Sequence, residues 1–213
     1  MGGLDALVRL HVVVEGQTEE TFVRDLLAPS LGLIADVHRV TTGRKGPTTY
    51  RGGHTSYQHL RRDLTRWMAE DRHSESWFTT MVDLYRIPND VPGYEKSRKI
   101  RDPVERVKFL EREFKSDIGH PRFAPYIQLH EFEALLFSDP ESFLTSFPDN
   151  RQAVAALARI LEQLSSPEYI DDGAFPQFMK PVDGPKIARE IGLPKLRAAC
   201  PHFNEWIDAL LSL

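Results

Sequence analysis

The chain has 213 residues, 41% hydrophobic and 27% charged, the composition of a globular protein that buries a core, which excludes wholesale disorder and collagen-like repetition. No apolar run approaches the ~20 residues of a membrane-spanning helix, and the first residues lack the basic and apolar blocks of a signal peptide, so a cytoplasmic chain with no membrane association is expected. The single cysteine, Cys200, excludes an intramolecular disulfide and is expected to be a small buried residue. The net charge of −4 conceals an asymmetry: between Arg39 and Arg66, seven basic residues face Asp63 alone, a local +6 that leaves −10 for the rest. A basic stretch in an acidic protein suggests a local anion site, or a solvated helix face.

In chain order, Leu7 to Val14 reads as a strand, because its β-branched run stops at Glu15-Gly16. Thr18 can cap a helix carrying Phe22, Val23, Leu26 and Leu27, with Pro29 just beyond its end. A second strand, Ile34 to Val40, leads into a loop from Thr41 to Thr55, where five glycines and prolines argue against regular structure. Helical spacing returns from Ser56 to Glu70, and Trp77 to Asp83 reads as a buried strand ending on an acid. Asp102-Pro103-Val104-Glu105 combines an N-cap, a first-turn proline and an acidic third position, so a helix is expected from Pro103 to about Asp117. Phe123 to Leu129 is the next strand. Helices then follow over Glu131 to Phe137, from Asp139-Pro140, from about Asn150 to Leu164, and on to the C-terminus.

This alternation predicts an α/β fold with a mainly parallel sheet, helices on both faces and a C-terminal helical subdomain, divided into a core over 1–137 and a helical extension packed on it over 138–213. The carboxyl ends of parallel strands face one crevice, so Glu15, Asp83, His130 and Glu131 should converge there. Glu19 in the first helical turn and Glu133 beside Glu131 add two carboxylates. The plain alternatives are that Glu19 complements the helix dipole, that Glu15 is a solvated turn residue and that Asp83 forms a turn. Several carboxylates in one crevice need a counter-charge, and oxygen donors suit Mg²⁺ or Mn²⁺ better than zinc. Two such ions ~3.5 to 4 Å apart fit phosphodiester cleavage, with Arg44, Lys45 and Arg51 gripping the backbone of DNA or RNA. Other chemistries lack their motifs: Ala134 replaces the second histidine of H-E-x-x-H, the Gly43 to Thr49 segment lacks P-loop spacing, and no G-x-S-x-G elbow or G-x-G-x-x-G turn is present.

Val12-Val13-Val14-Glu15-Gly16-Gln17-Thr18-Glu19 resembles the V-E-G-x-T-E signature of Toprim domains of the overcoming-lysogenization-defect nuclease type. With Met81 to Tyr85, His130 to Phe137, Ile191-Gly192-Leu193 and Cys200 to Trp206, the whole chain is similar to the Toprim-like domain-of-unknown-function family 4276. The resemblance implies a compact doubly wound sheet and a Mg²⁺ site in which Glu15 matches the Toprim glutamate, Glu19 the second acid of the signature and Asp83 the first aspartate of D-x-D. Tyr85 stands where the second aspartate would be, so a metal must borrow Glu131, Glu133 or His130, or bind less tightly. It also implies a charge-stabilising lysine, Lys180 or Lys186, and an ATPase partner in anti-phage defence; a homo-oligomer stays open. The expected activity is therefore metal-dependent hydrolysis of nucleic acid, with catalytic Glu15, Asp83 and Glu131, metal ligands drawn from these with Glu19 and Glu133, and His130 orienting a ligand or phosphate. The rivals are a non-catalytic subunit that binds an ATPase or nucleic acid, and a phosphotransferase or small-molecule phosphatase.

Overall fold

The computed structural model describes residues 8–45, 48–51, 56–85, 87–170 and 183–213, with the side chains of 43–45 and 48–51 outside that description. Strand β1 (Arg9–Val14) enters the core at Leu10 and stays buried to Val14. After Glu15-Gly16 the chain coils through helix α1 (Gln17–Phe22), a π-helical segment (Val23–Leu27) and helix α2 (Ala28–Leu31) without a break, ending on Gly32 in the left-handed region (φ 67°). Pro29 therefore lies inside this rod, not beyond it. Ala28 N–H bonds five residues back to Val23 O, and this wider turn accommodates a proline that supplies no N–H and whose ring would crowd an ordinary helix.

Strand β2 (Ile34–Arg39) returns parallel to β1. The segment expected to be irregular instead forms a hairpin, β3 (Thr41–Lys45) with β4 (Thr48–Arg51), whose register shifts between Thr41 and Gly43. Threonines 41, 42, 48 and 49 with Tyr50 favour extended backbone, and Gly43 at the shift tolerates the bulge. Asp63 anchors the hairpin's start by accepting Thr41 N–H at 2.6 Å.

Helix α3 (Tyr57–Glu70) starts at Ser56, whose hydroxyl accepts from His59 N–H, and leads to the long strand β5 (Ser76–Asp83). A short helix, α4 (Tyr94–Ser97), precedes α5 (Pro103–Ile118), which begins with Asp102 accepting Glu105 N–H at 2.9 Å, as its capping pattern predicts. The expected strand over 123–129 is two short pieces, β6 (Phe123–Ala124) and β7 (Ile127–Gln128), both parallel to β5. Pro125 separates them because it offers no N–H to the ladder. Thr80 spans the gap, its hydroxyl accepting Tyr126 N–H at 3.0 Å and donating to Tyr126 O at 2.9 Å.

The expected helix over 131–137 shortens to α6 (Glu133–Leu136), and Asp139-Pro140 opens a 3₁₀ helix (Pro140–Thr145) in place of an α-helix. Asp139 does not cap it; its carboxylate takes Lys195 Nζ at 2.6 Å and Ser142 Oγ at 2.9 Å. Helix α7 (Arg151–Leu161) ends earlier than its sequence pattern suggests, and a 3₁₀ turn (Pro167–Tyr169), α8 (Gly184–Ile191), α9 (Leu193–Ala199) and α10 (Pro201–Leu211) follow.

The sheet order is β2-β1-β5-β6, with β7 extending the last position along β5. All its pairings are parallel, and the chain adds strands on both sides of β1. Successive residues of β1 face opposite ways. Leu10, Val12 and Val14 pack with Phe22 and the C-terminal helices, whereas Val13 packs with α3 and α5. Helices thus cover both faces. The C-terminal segment contributes directly to the core: Trp206 Nε1 donates to Thr79 Oγ1 at 2.9 Å, and its ring stacks on Tyr126 at 4.2 Å. Cys200 is buried. Among the described residues no helix is long and apolar enough to cross a membrane.

Candidate functional site

The parallel register makes β1 and β5 end side by side, and Glu15 N–H continues the ladder to Met81 O at 3.4 Å. Gly16 then turns the chain into α1 with extended backbone (φ −130°). Its N–H donates to Glu19 Oε2 at 2.9 Å, so the second acid of the motif folds back over the strand tip. A Cβ on Gly16 would lie 2.8 Å from that oxygen, closer than side chains pack. Glu19 is only 7% exposed. Burial raises its pKa, the charges of Glu15 and Glu131 raise it further, and hydrogen bonds from the Glu19 and Gly16 N–H groups oppose the shift.

Asp83 ends β5. The residue as a whole is part-buried, but its Oδ1 is sealed from solvent and has no hydrogen-bond partner. Burial first, then the charges of Glu19, Glu15, Glu133 and Glu131, raise its pKa well above the ordinary aspartate value. The route that brings the last two acids here is a backbone one. Beyond the paired ends of β5 and β7, Leu84 N–H bonds to Gln128 O at 2.9 Å and Tyr85 N–H to His130 O at 3.1 Å. His130 takes the left-handed conformation (φ 58°), the sole non-glycine among the described residues to do so, and turns the chain toward α6. Such a conformation is uncommon for a side-chain-bearing residue and is held by its surroundings. Glu133 in the first turn of α6 also has a raised pKa, from burial and then Glu19.

Glu15, Glu19, Asp83, Glu131 and Glu133 are therefore one electrostatic cluster. Its donors are all oxygen, which suits a hard divalent cation. Among the described residues, however, no three histidine, cysteine, aspartate or glutamate side chains stand together as a ready-made metal cage. The unpartnered Asp83 oxygen and the mutual repulsion fit a cation, and holding one requires side chains to swing inward. A cavity of about 20 Å³ lies behind Glu15 and Asp83, walled by apolar residues such as Val91 and Phe114. It is too small for a substrate.

The hairpin carrying Arg44, Lys45 and Arg51 leaves β2 at Val40, whose N–H bonds to Val14 O at 3.0 Å. Its backbone thus starts at the acidic end of the sheet, while the side chains of these three residues lie outside the described residues, as does Lys180. Lys186 is exposed on α8. Tyr85 is 49% exposed beside the cluster. Sequence reasoning missed Gly184, where a Cβ would come within 3.2 Å of Phe132 and 3.4 Å of Thr18. This close approach wedges α8 between α1 and the 132–136 segment; a glycine before Pro185 is its faint signal.

The architecture defines an α/β protein with a mainly parallel sheet and an acidic cluster at its carboxyl end. Residues 14–211 match the model of a family described as a domain of unknown function, DUF4276, and the chain belongs to that family. No curated protein and no solved structure matches it.

Proposed function

We propose that the chain is a divalent-metal-dependent phosphodiesterase acting on DNA or RNA, built on a Toprim-like doubly wound sheet. The observation that supports this most is Asp83, whose buried oxygen has no partner while four other acids raise its pKa. A site that concentrates negative charge without a basic partner for this oxygen is one that a cation stabilises. Glu15, Asp83 and Glu131 are the proposed ligands, with Glu19 and Glu133 completing the set. Bound Mg²⁺ or Mn²⁺ would supply an activated water and charge neutralisation at phosphate. Gly16 N–H holds Glu19 in place, and the left-handed turn at His130 precedes Glu131 and Glu133, whose charges raise the pKa of Asp83. Arg44, Lys45 and Arg51 on the hairpin would hold the nucleic-acid backbone, and Lys180 or Lys186 would stabilise developing charge. In a cell the chain would act as a cytoplasmic effector partnered with an ATPase in anti-phage defence.

Isothermal titration of Mn²⁺ and Mg²⁺ into wild type and Glu15→Gln tests the reading. Saturable binding that disappears in the variant supports it, and cleavage should then be lost in Glu15→Gln with Asp83→Asn while the fold is kept. Absence of binding at millimolar metal, with or without nucleic acid, would sink it.

Tyr85 favours a second reading, a non-catalytic subunit. A half-exposed phenol occupies the position of a second acid, and a neutral phenol is no substitute for a carboxylate. In that case a complex with an ATPase partner keeps its activity when it carries Glu15→Gln.

A further inference from the structure

On one side the sheet ends at β2, which among the described residues is paired by β1 alone. Whereas β1 is buried from Leu10 onward, β2 is partly exposed throughout, with Ile34 at 51%. Val40 N–H bonds to Val14 O at 3.0 Å and so points into the sheet. Backbone polar groups alternate sides along a strand, so those of Asp36 and His38 also face β1, while the N–H and C=O groups of Ala35, Val37 and Arg39 face outward. Among the described residues no hydrogen bond outside the ladder engages these outward groups.

The usual guards of an open edge are missing. Strand β2 holds no lysine and no proline. Its polar side chains are tied back into their own chain: Asp36 accepts from Arg9 Nε at 2.8 Å, and Arg39 Nε lies 2.9 Å from Glu20 Oε2. His38 Nε2 lies 3.2 Å from Nδ1 of His11, whose Nε2 meets Asp71 Oδ2 at 2.7 Å.

We propose that β2 is a self-pairing edge, along which a second copy of this chain adds its own β2 antiparallel, about a two-fold axis at Val37, to form one continuous sheet.

Backbone parity limits the registers. Hydrogen bonds form only where outward groups meet outward groups, so the axis must pass through Asp36, Val37 or His38 if most of β2 is to pair. With the axis at Val37, that residue faces its own copy and Ala35 faces Arg39, so every outward group of both strands is bonded. Moving the axis to Asp36 or His38 leaves one outward residue of each strand without a counterpart in β2. The side chains select the same register. Asp36 then falls opposite His38 of the second copy, and the exposed Ile34 falls opposite Val40, apolar against apolar. An axis at Asp36 would set carboxylate against carboxylate, and one at His38 imidazole against imidazole; like charges directly opposite are destabilising. The pairing is isologous, so it closes on itself and leaves no β2 edge on which a fibre could grow. It also points the two acidic ends of the sheet in opposite directions, so each copy keeps its own site.

Sedimentation equilibrium of wild type and Val37→Pro over a dilution series is the first test. Proline at 37 removes an outward N–H and no bond to β1, a position at which an edge strand accepts it. Wild type should be a dimer that dissociates on dilution, and the variant a folded monomer at concentrations where wild type is dimeric. Amide hydrogen exchange of wild type needs no variant. Exchange at Ala35, Val37 and Arg39 should slow together as protein concentration rises, while Asp36 and His38 are protected by β1 at every concentration. Mixing Asp36→Cys with His38→Cys reads the register. The two positions form a non-hydrogen-bonded pair with Cα atoms ~4.5 Å apart, within reach of a disulfide. Two copies of either variant alone are offset by two residues, ~7 Å along the strand and too far to bridge. Only the mixture should cross-link, since Cys200 is buried. A wild type that stays monomeric up to millimolar concentration, exchange at the three amides that ignores concentration, a folded Val37→Pro that remains dimeric, or a cross-link in either variant alone would overturn the proposal.

Discussion

Gly16→Ala isolates the contact that fixes Glu19. The backbone at Gly16 is extended (φ −130°, ψ −174°), so alanine introduces no dihedral strain. Its Cβ would sit 2.8 Å from Glu19 Oε2, and the carboxylate must move away, giving up the bond from Gly16 N–H. A hydrogen bond to a charged acceptor contributes ~1.5–3 kcal/mol, while the lower unfolded-state entropy of alanine offsets ~0.4–1 kcal/mol. The net expectation is a loss of about 1–2 kcal/mol. In a Glu19→Ala background nothing stands against the new methyl, so the same substitution should be neutral or stabilising by ~0.4–1 kcal/mol. Urea unfolding of the four proteins closes the double-mutant cycle. Equal costs in both backgrounds would refute the argument that Gly16 is required by Glu19.

Two further outcomes follow from buried groups away from the acids. Glu168 is 1% exposed and its carboxylate accepts His202 N–H and Phe203 N–H, each at 3.0 Å, at the start of α10. Glu168→Ala leaves both donors buried without partners and should cost about 2–4 kcal/mol in denaturant unfolding. The Cys200 thiol is pushed up to about 12, by burial and then by the Glu168 charge. It should react with a thiol reagent such as Ellman's only when denaturant is added, and reaction at the native protein's ordinary working pH would contradict the burial.

The parts of the fold that sequence reasoning finds are those whose cause is local. Val12 to Glu15 announces a strand and its stop, and Asp102-Pro103 announces α5, because capping and branching act within a few residues. That Glu15 and Asp83 lie at neighbouring strand ends was also legible, since parallel strands present their carboxyl ends on one side of the sheet. Competing local signals produced the errors. Glycines around Gly43 outweighed the threonines that form β3 and β4, and the apolar run from Phe123 concealed the break at Pro125. The Asp71–His11–His38 array has no linear signal: its members are 60 and 27 positions apart and meet only through the pairing of β1 with β2 and the end of α3. The left-handed turn at His130 was equally hidden, because no glycine marks it.

Asp83, Glu19 and Glu133 have folded pKa values above their ordinary ones. The stability of these groups is fully present below the unfolded carboxylate range and is lost as pH rises through the folded values. Asp83→Asn removes a strongly raised carboxyl. The variant should match wild type below the pKa of an unfolded aspartate and overtake it as pH rises from there, by at most ~1.4 kcal/mol per pH unit for one proton, until the folded Asp83 is fully ionised. Urea midpoints measured across the pH range follow this crossover. A variant less stable than wild type throughout would mean that an ionised Asp83 is held by a favourable partner, and the carboxylate cluster would then be an ion-paired structural element rather than a site awaiting a cation.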